Sequence, residues 1–296
     1  MMKMNRLPIL YFGILLALIS CSSNKTVDPL GQFDADVAAI DKYLATNSIT
    51  ANHDARGIRF VINTLGTGLP PRQDQNVRVK FTGRLLSNGT VFDQGTVQGG
   101  LTNYIDGWQI GIPLFPKGTK STLYIPSNFG YGSTGNQALG VPANSNLVYE
   151  MELIDVLVAQ TEKDQLAADI VTIDNYLKSK SITAISDTTG LRYVVTQIGT
   201  GTNKATWYNK VKFAYSGRIL STEVQFTTGI ALQSATFDSR VVDYITGFQI
   251  GLQKMKLSSK ITFYIPSTLA FGAKASSTVP ANANLIYELE LQEIIQ

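Results

Sequence analysis

The stretch YIDGWQIGI occupies residues 104–112, and YITGFQIGL occupies residues 244–252. One chain writes this nine-residue pattern twice, with Asp106, Trp108 and Ile112 replaced by Thr246, Phe248 and Leu252 in the second writing. If both stretches only pack a core, exchanging one apolar aromatic for another means little. If they line a pocket, the exchange separates a working site from a weakened one.

Working outward from this stretch, the whole chain proves to be a duplication. Ile40-Asp41-Lys42-Tyr43-Leu44 returns as Ile173-Asp174-Asn175-Tyr176-Leu177, Gly57-Ile58-Arg59-Phe60 as Gly190-Leu191-Arg192-Tyr193, and Gly66-Thr67-Gly68 as Gly199-Thr200-Gly201, all 133 residues apart. Further on, Ile125-Pro126-Ser127 matches Ile265-Pro266-Ser267, and Val141-Pro142-Ala143-Asn144 matches Val279-Pro280-Ala281-Asn282. Both copies finish on Tyr-Glu-x-Glu-Leu. Phe92-Asp93 is matched to Phe237-Asp238, with an insertion before it in the second copy.

At 296 residues the chain is long enough for two domains, each with its own core. Lys+Arg 25 against Asp+Glu 22, with no basic run, argues against a nucleic-acid partner. The first twenty residues do not read as fold. Lys3 and Arg6 precede an apolar run over residues 7–19, too short for a comfortable membrane span and suited to a signal-peptide core. That run ends in Leu18-Ile19-Ser20-Cys21, which resembles the bacterial lipobox, and Cys21 is the only cysteine. The expected organisation is a signal peptide over 1–20, a tether over 21–30 lipidated at Cys21, and domains over 31–158 and 159–296. The expected location is the cell envelope, on a lipid anchor facing the periplasm, where an acyl chain contributes about 0.8 kcal/mol per buried methylene.

Within each copy a leading helix precedes strands. Phe33, Val37, Ile40 and Leu44 make one apolar stripe, as do Ile170, Ile173 and Leu177. Asp36, Asp41, Asp169 and Asp174 are expected on the solvated face. Residues 59–65, 77–86, 121–125 and 147–157 read as half-buried strands. Residues 111–118, with two prolines, read as loop, and the polar junction 159–165 leads into the second helix.

Several chemistries are excluded by the residues. His53 is the only histidine and has no counterpart in copy two, so neither a duplicated triad nor a zinc site is available. Gly66-Thr67-Gly68 opens no helix and is not a phosphate loop, and no carboxylate pair recurs in a glycosidase pattern. No metal and no cofactor is expected. What recurs is aromatic: Phe81, Phe92, Trp108, Tyr131 and Tyr149, then Tyr215, Phe237, Phe248, Phe271 and Tyr287.

In order and spacing, Val79-Lys80-Phe81-Thr82-Gly83, Val91-Phe92-Asp93, Tyr104-Ile105-Asp106-Gly107-Trp108, Ile125-Pro126, Phe129-Gly130-Tyr131-Gly132 and Val141-Pro142-Ala143-Asn144 resemble the FKBP-type peptidyl-prolyl cis-trans isomerases. The likeness covers about residues 57–157 and 190–296, and the leading helices resemble those of envelope lipoproteins in the family. It implies an α+β fold of two domains, each a curved antiparallel sheet around a short helix. It implies Trp108 as pocket floor, Phe92, Ile105, Val141 and Tyr149 as walls, Asp93 at the rim and Tyr131 as hydroxyl donor, with Phe81 where the family usually has tyrosine. In copy two it implies a substrate site of Tyr215, Phe237, Asp238, Ile245, Phe248, Phe271, Val279 and Tyr287. Phe248 and Phe271 replace the floor tryptophan and the donor, so copy one is expected to be the better catalyst.

The expected function is acceleration of X-Pro isomerisation in exported polypeptides. A rival is a non-catalytic holdase or scaffold that binds peptides without turnover, and a more distant one is a surface adhesin or polysaccharide-binding lipoprotein. Residues 136–140 are expected to overhang the first pocket and to influence substrate preference.

Overall fold

The computed structural model describes residues 29–231, 241, 244–276 and 278–295. Cys21, its tether, Phe237 and Asp238 lie outside the described residues. Helix α1 (Pro29–Thr46) opens the first repeat. Six strands follow: β1 (Asn52–His53), β2 (Arg59–Thr64), β3 (Asn76–Leu85), β4 (Val91–Gly100), β5 (Lys120–Ile125) and β6 (Leu147–Leu157). They form one antiparallel sheet in the order β1-β2-β5-β6-β3-β4, with helix α2 (Asp106–Gly111) between β4 and β5. The second repeat opens with α3 (Gln160–Ser179), which takes in the junction, since helix begins at Gln160. It continues through β7 (Ile185–Ser186), β8 (Arg192–Gln197), β9 (Thr200–Lys204), β10 (Lys210–Ile219), β11 (Gln225–Ala231), α4 (Thr246–Leu252), β12 (Lys256–Leu257), β13 (Lys260–Ile265) and β14 (Leu285–Ile295). Its main sheet repeats the first order, β7-β8-β13-β14-β10-β11, and β9 and β12 pair as a separate ribbon.

Strand alternation sets the inner face. Along β3, Val77, Val79, Phe81 and Leu85 are buried while Arg78 and Lys80 stay exposed, the period-2 pattern of a half-solvated antiparallel sheet. β4 was not foreseen as a strand. Its sequence VFDQGTVQGG is poor in strand formers, and it is held by pairing along β3 from Asn76↔Gly100 to Arg84↔Val91.

The short helix α2 lies on the inner face because two glycines let it. A Cβ on Gly107 would stand 2.5 Å from Ile125 Cγ2, and one on Gly111 would stand 2.6 Å from Leu123 Cδ1. Gly247 and Gly251 repeat the arrangement against Ile265 at 2.5 Å and Phe263 at 2.9 Å. The four-residue spacing puts both glycines on one helix face, and Trp108 turns toward the sheet beside them.

The leading helices correct an expectation. Asp41 and Asp174 lie at the surface as expected, each holding an arginine of the sheet, with Nε···Oδ1 distances of 2.8 Å to Arg59 and to Arg192. Asp36 and Asp169, however, are buried, at 3% and 2% exposure. Each lies four residues before the buried isoleucine of its helix, Ile40 or Ile173, and so falls on the inward stripe; charge alone gave the wrong face.

The two domains touch. The Arg72 guanidinium donates to both Glu162 oxygens at 2.5 and 2.9 Å, and the Tyr208 hydroxyl donates to the Leu114 carbonyl at 3.0 Å. The Tyr208 ring also packs on Phe60, with centroids 5.6 Å apart.

Gly107→Ala tests the close approach. Alanine in place of glycine stabilises an open helix by about 1 kcal/mol, whereas overpacking a tight contact costs about 1–3 kcal/mol. The expected outcome is a lower urea midpoint for the variant at unchanged slope; a raised midpoint would show that the helix can lift off the sheet.

Candidate active site

The first-repeat site is assembled from five elements. β3 supplies Phe81, the start of β4 supplies Phe92 and Asp93, and Ile105 and Trp108 come from the entry and first turn of α2. Tyr131 sits in the turn that follows the 3-10 segment Ser127–Phe129, and Tyr149 is on β6. Gly83 is paired with Tyr149 and Asp93 across the two neighbouring strands, and a Cβ there would stand 2.8 Å from both the Phe92 and Tyr149 rings. The absent side chain lets these two rings meet.

Trp108 is the hub. It is 3% exposed and meets Phe81 at 5.0 Å, Tyr104 at 5.1 Å and Tyr149 at 5.2 Å between ring centroids. Tyr149 passes the contact to Phe92 at 5.6 Å, edge-on, and Phe92 passes it to Tyr131 at 6.2 Å. Edge-to-face pairs at such separations contribute about 0.5–1.5 kcal/mol each beyond burial. Trp108, Tyr149 and Val141 belong to one buried core, and Phe92, Ile105 and Tyr131 pack against it from the open side. Trp108 and Tyr131 therefore share one face of the sheet. The Trp108 indole Nε1 is buried and finds no acceptor among the described residues.

Tyr131, Tyr149 and Asp93 bring polar groups together at the lip. Burial raises the Tyr131 phenol above its ordinary value, Tyr149 opposes this through a hydrogen bond, and the Asp93 charge adds to the rise. Burial pushes the Tyr149 phenol up much further, with Tyr131 and Asp93 acting in the same direction. Both tyrosines thus remain neutral hydroxyls at any physiological pH. Residues 136–140 form a small cap: the Asn136 side chain accepts the Leu139 N–H at 3.2 Å, Asn136 bridges to Val141, and Leu139 packs on the core.

In the second repeat α4 brings Phe248 to the same place, 4.6 Å from Tyr287, with Tyr244 at 6.3 Å. The smaller floor is met by a larger neighbour, since Phe213 stands where the first repeat has Val79, and its ring is 5.7 Å from Phe248. Tyr215, Ile245, Phe271 and Val279 join Phe248 and Tyr287 around a hollow of about 380 Å³, within the size range of small-molecule and peptide pockets. Phe271 stands at its rim, 41% exposed.

Strand register corrects the matching of Phe92-Asp93 to Phe237-Asp238. Gly83 pairs with Asp93, and Gly217, its counterpart, pairs with Thr227. Phe226 meets Tyr287 edge-on at 5.7 Å, as Phe92 meets Tyr149 at 5.6 Å. Phe226 and Thr227 therefore occupy the register positions of Phe92 and Asp93, with a hydroxyl side chain where the first repeat has a carboxylate. The signal is present in the spacing, because Gly83 to Phe92 and Gly217 to Phe226 are both nine residues, whereas Phe237-Asp238 repeats only the dipeptide. Tyr104 and Tyr244, quoted in the repeat yet not assigned to a site, also line the floor.

Comparison with known proteins identifies the family of both repeats. The family model described as FKBP-type peptidyl-prolyl cis-trans isomerase matches residues 68–154 and again 201–292, together more than half the chain. The chain is 35% identical over 133 residues to the FKBP-type 22 kDa peptidyl-prolyl cis-trans isomerase of Escherichia coli strain K12, covering 43% of this chain and 64% of that protein. It is 33% identical over 123 residues to the FKBP-type isomerase FkpA of Aeromonas hydrophila, covering 39% of this chain and 45% of that one. Among solved structures, a peptidyl-prolyl cis-trans isomerase from Pseudomonas syringae pv. tomato is similar at 32% identity with a TM-score of 0.38, covering 42% of this chain and 96% of that one. The alignments span less than two thirds of the curated relatives' own lengths. The chain belongs, in both of its repeats, to the FKBP-type peptidyl-prolyl cis-trans isomerase family.

Proposed function

We propose that this protein accelerates cis-trans isomerisation of X-Pro bonds in polypeptides, chiefly in its first domain. The observation that carries this is the apolar cup of Trp108, Tyr149 and Phe92 with the Tyr131 hydroxyl at its lip. Rotation about a peptide bond meets a barrier of about 18–20 kcal/mol because resonance gives it double-bond character. The X-Pro isomers themselves differ by only about 0.5–1 kcal/mol. No bond is made or broken, so the site needs no nucleophile and no base.

Trp108 floors the seat of the prolyl ring, with Phe92, Ile105, Val141 and Tyr149 as its walls. The twisted transition state has lost amide resonance and is less dipolar than either planar isomer. An aromatic cup therefore disfavours the planar forms more than the twisted one, and the Tyr131 hydroxyl holds the carbonyl that rotates. Burial and, after it, the Asp93 charge favour the protonated form of that hydroxyl, and Tyr149 is its hydrogen-bond partner. Each 1.36 kcal/mol of such preference is tenfold in rate.

The second domain is read as a peptide holder with weak turnover. Its hollow has the same ring of aromatic residues, but Thr227 and Phe271 stand where the first site has the Asp93 carboxylate and the Tyr131 hydroxyl, and that exchange supports the weaker turnover. The chain is further read as a lipoprotein of the cell envelope, anchored through Cys21 and serving exported clients. Among the described residues no helix is long and apolar enough to cross a membrane, and the apolar run before Cys21 supports an acyl anchor instead.

In the mature full-length chain, Trp108→Ala is expected to lower kcat/KM on a prolyl peptide by about a hundredfold, and Phe248→Ala by less than threefold. Tyr131→Phe should cost about threefold to tenfold, matching a hydrogen bond of about 0.5–1.5 kcal/mol. Equal losses at Trp108 and Phe248 would reverse the ranking of the domains, and no loss at either would remove the assignment.

The rate should stay flat with pH through the neutral range, because the Tyr131 donor is protonated there and its raised value delays ionisation beyond the usual phenol range near 10. Stability follows the same sign. Tyr149 and Tyr287 both have raised folded values, so their contribution is complete below about pH 10 and is lost as pH rises above it. Alkaline titration should show the exposed tyrosines such as Tyr43 ionising first and a last rise in phenolate absorbance coinciding with unfolding; full phenolate absorbance before unfolding would contradict the burial of Tyr149 and Tyr287. Cys21→Ser should abolish incorporation of labelled fatty acid and release the protein from membranes, and persistence of both would refute the anchor.

A further inference from the structure

The leading helices lie wholly before the residues matched to the family, since the matches begin at 68 and 201. Helix α1 packs Ile40 and Leu44 on Tyr124 and Val148 of the sheet, and this apolar contact would suffice for docking. One turn earlier, however, it sends a carboxylate inward. Asp36 Oδ2 accepts the Ser127 N–H at 2.9 Å and the Ser127 hydroxyl at 2.5 Å, while Oδ1 accepts Gln32 Nε2 at 2.7 Å. Asn146 closes the contact, its Oδ1 accepting the Ser127 N–H at 3.1 Å and its Nδ2 donating to the Asp36 carbonyl at 3.2 Å. Phe33 adds a ring edge on Phe129 at 6.1 Å.

Ser127 begins the 3-10 segment Ser127–Phe129, and the chain reaches Tyr131 two residues after it. The second repeat builds the same device. Asp169 Oδ2 accepts the Ser267 hydroxyl at 2.6 Å, Gln165 Nε2 donates to Asp169 Oδ1 at 2.8 Å, and Asn284 accepts the Ser267 N–H at 2.9 Å. Both serines and both aspartates are buried.

A buried carboxylate is costly unless every acceptor site is filled, and apolar packing in its place would give equal or greater stability. What a charge-assisted, two-point contact adds is a fixed position for the group it holds. Here that group is the turn carrying the lip of the site. Misplacing a reacting contact by about 1 Å can cost on the order of a hundredfold in rate.

We propose that Asp36 is a positioning residue for prolyl isomerisation, clamping Ser127 so that the Tyr131 hydroxyl stands over the pocket, and that Asp169 holds the Phe271 lip through Ser267 in the same way. The leading helix is then part of the working site, not a spacer before it. The inference rests on the isomerase reading of the first domain.

The test uses the mature full-length chain carrying Asp36→Ala, Asp36→Asn and Ser127→Ala, each alone and combined with Tyr131→Phe. Asp36→Ala should lower kcat per folded molecule by no more than the loss in Tyr131→Phe, about threefold to tenfold, with KM changed less than twofold. Asp36→Asn, which keeps an acceptor oxygen, should recover most of the loss, and it remains informative if the alanine variant folds poorly. In the Tyr131→Phe background neither change at Asp36 should lower the rate further, because the group being positioned is gone. Amide exchange should quicken at residues 127–131 in Asp36→Ala and stay unchanged in α2. Normal turnover in Asp36→Ala would overturn the clamp, as would losses that multiply with Tyr131→Phe or unchanged exchange at 127–131. No turnover in the unmodified chain would sink the isomerase reading itself, a result distinct from any of these.

Discussion

The structure depends on the close approach of a short helix to a sheet. With hydrogen atoms where a Cβ would otherwise be, Gly107 and Gly111 bring α2 against Ile125 and Leu123, and Gly247 and Gly251 do the same for α4 against Ile265 and Phe263. Helices normally pack with axes 8–10 Å apart, set by the side chains between them and their neighbours. Removing two side chains at four-residue spacing brings the next residue, Trp108 or Phe248, deep enough to become a floor and not a rim. The strands then need only point their alternate residues inward to wall the site.

Duplication allows one site to be compared with the other inside a single chain. The second domain keeps the shape and alters the chemistry. Tryptophan becomes Phe248, yet Val79 has become Phe213, so bulk moves from helix to strand and the core stays filled. Volume-conserving exchanges of this sort are well tolerated in cores. The differences at the lip are of another kind: Thr227 and Phe271 take the places of Asp93 and Tyr131, exchanging a carboxylate for a hydroxyl and a phenol for an apolar ring. Packing can be rebalanced by a neighbour, whereas added bulk does not replace a polar group.

The leading helices tie this lip to a region outside the matched family segment. Apolar residues dock each helix, a surface aspartate holds the arginine of the adjoining strand, and a buried aspartate holds the serine ahead of the lip. Three contacts of different chemistry constrain one helix. The polar contact at Ser127 and Ser267 is the one made to the segment that leads into the lip.

The sequence by itself determined the duplication, the α+β class, the aromatic recurrence and most strand positions, because the buried face of a β-strand is written with period two in its own residues. It also carried the family likeness, through motifs whose order cannot arise from local propensity. Tertiary structure decided what local patterns leave open. β4 is a strand only because β3 offers it a paired edge, and Phe226 and Thr227 enter the second site through the register of a hairpin, which composition does not show. Asp36 and Asp169 are buried because a turn distant in sequence supplies their donors. A charged residue reads as solvated until its partners are known, and those partners meet it only when the chain has folded.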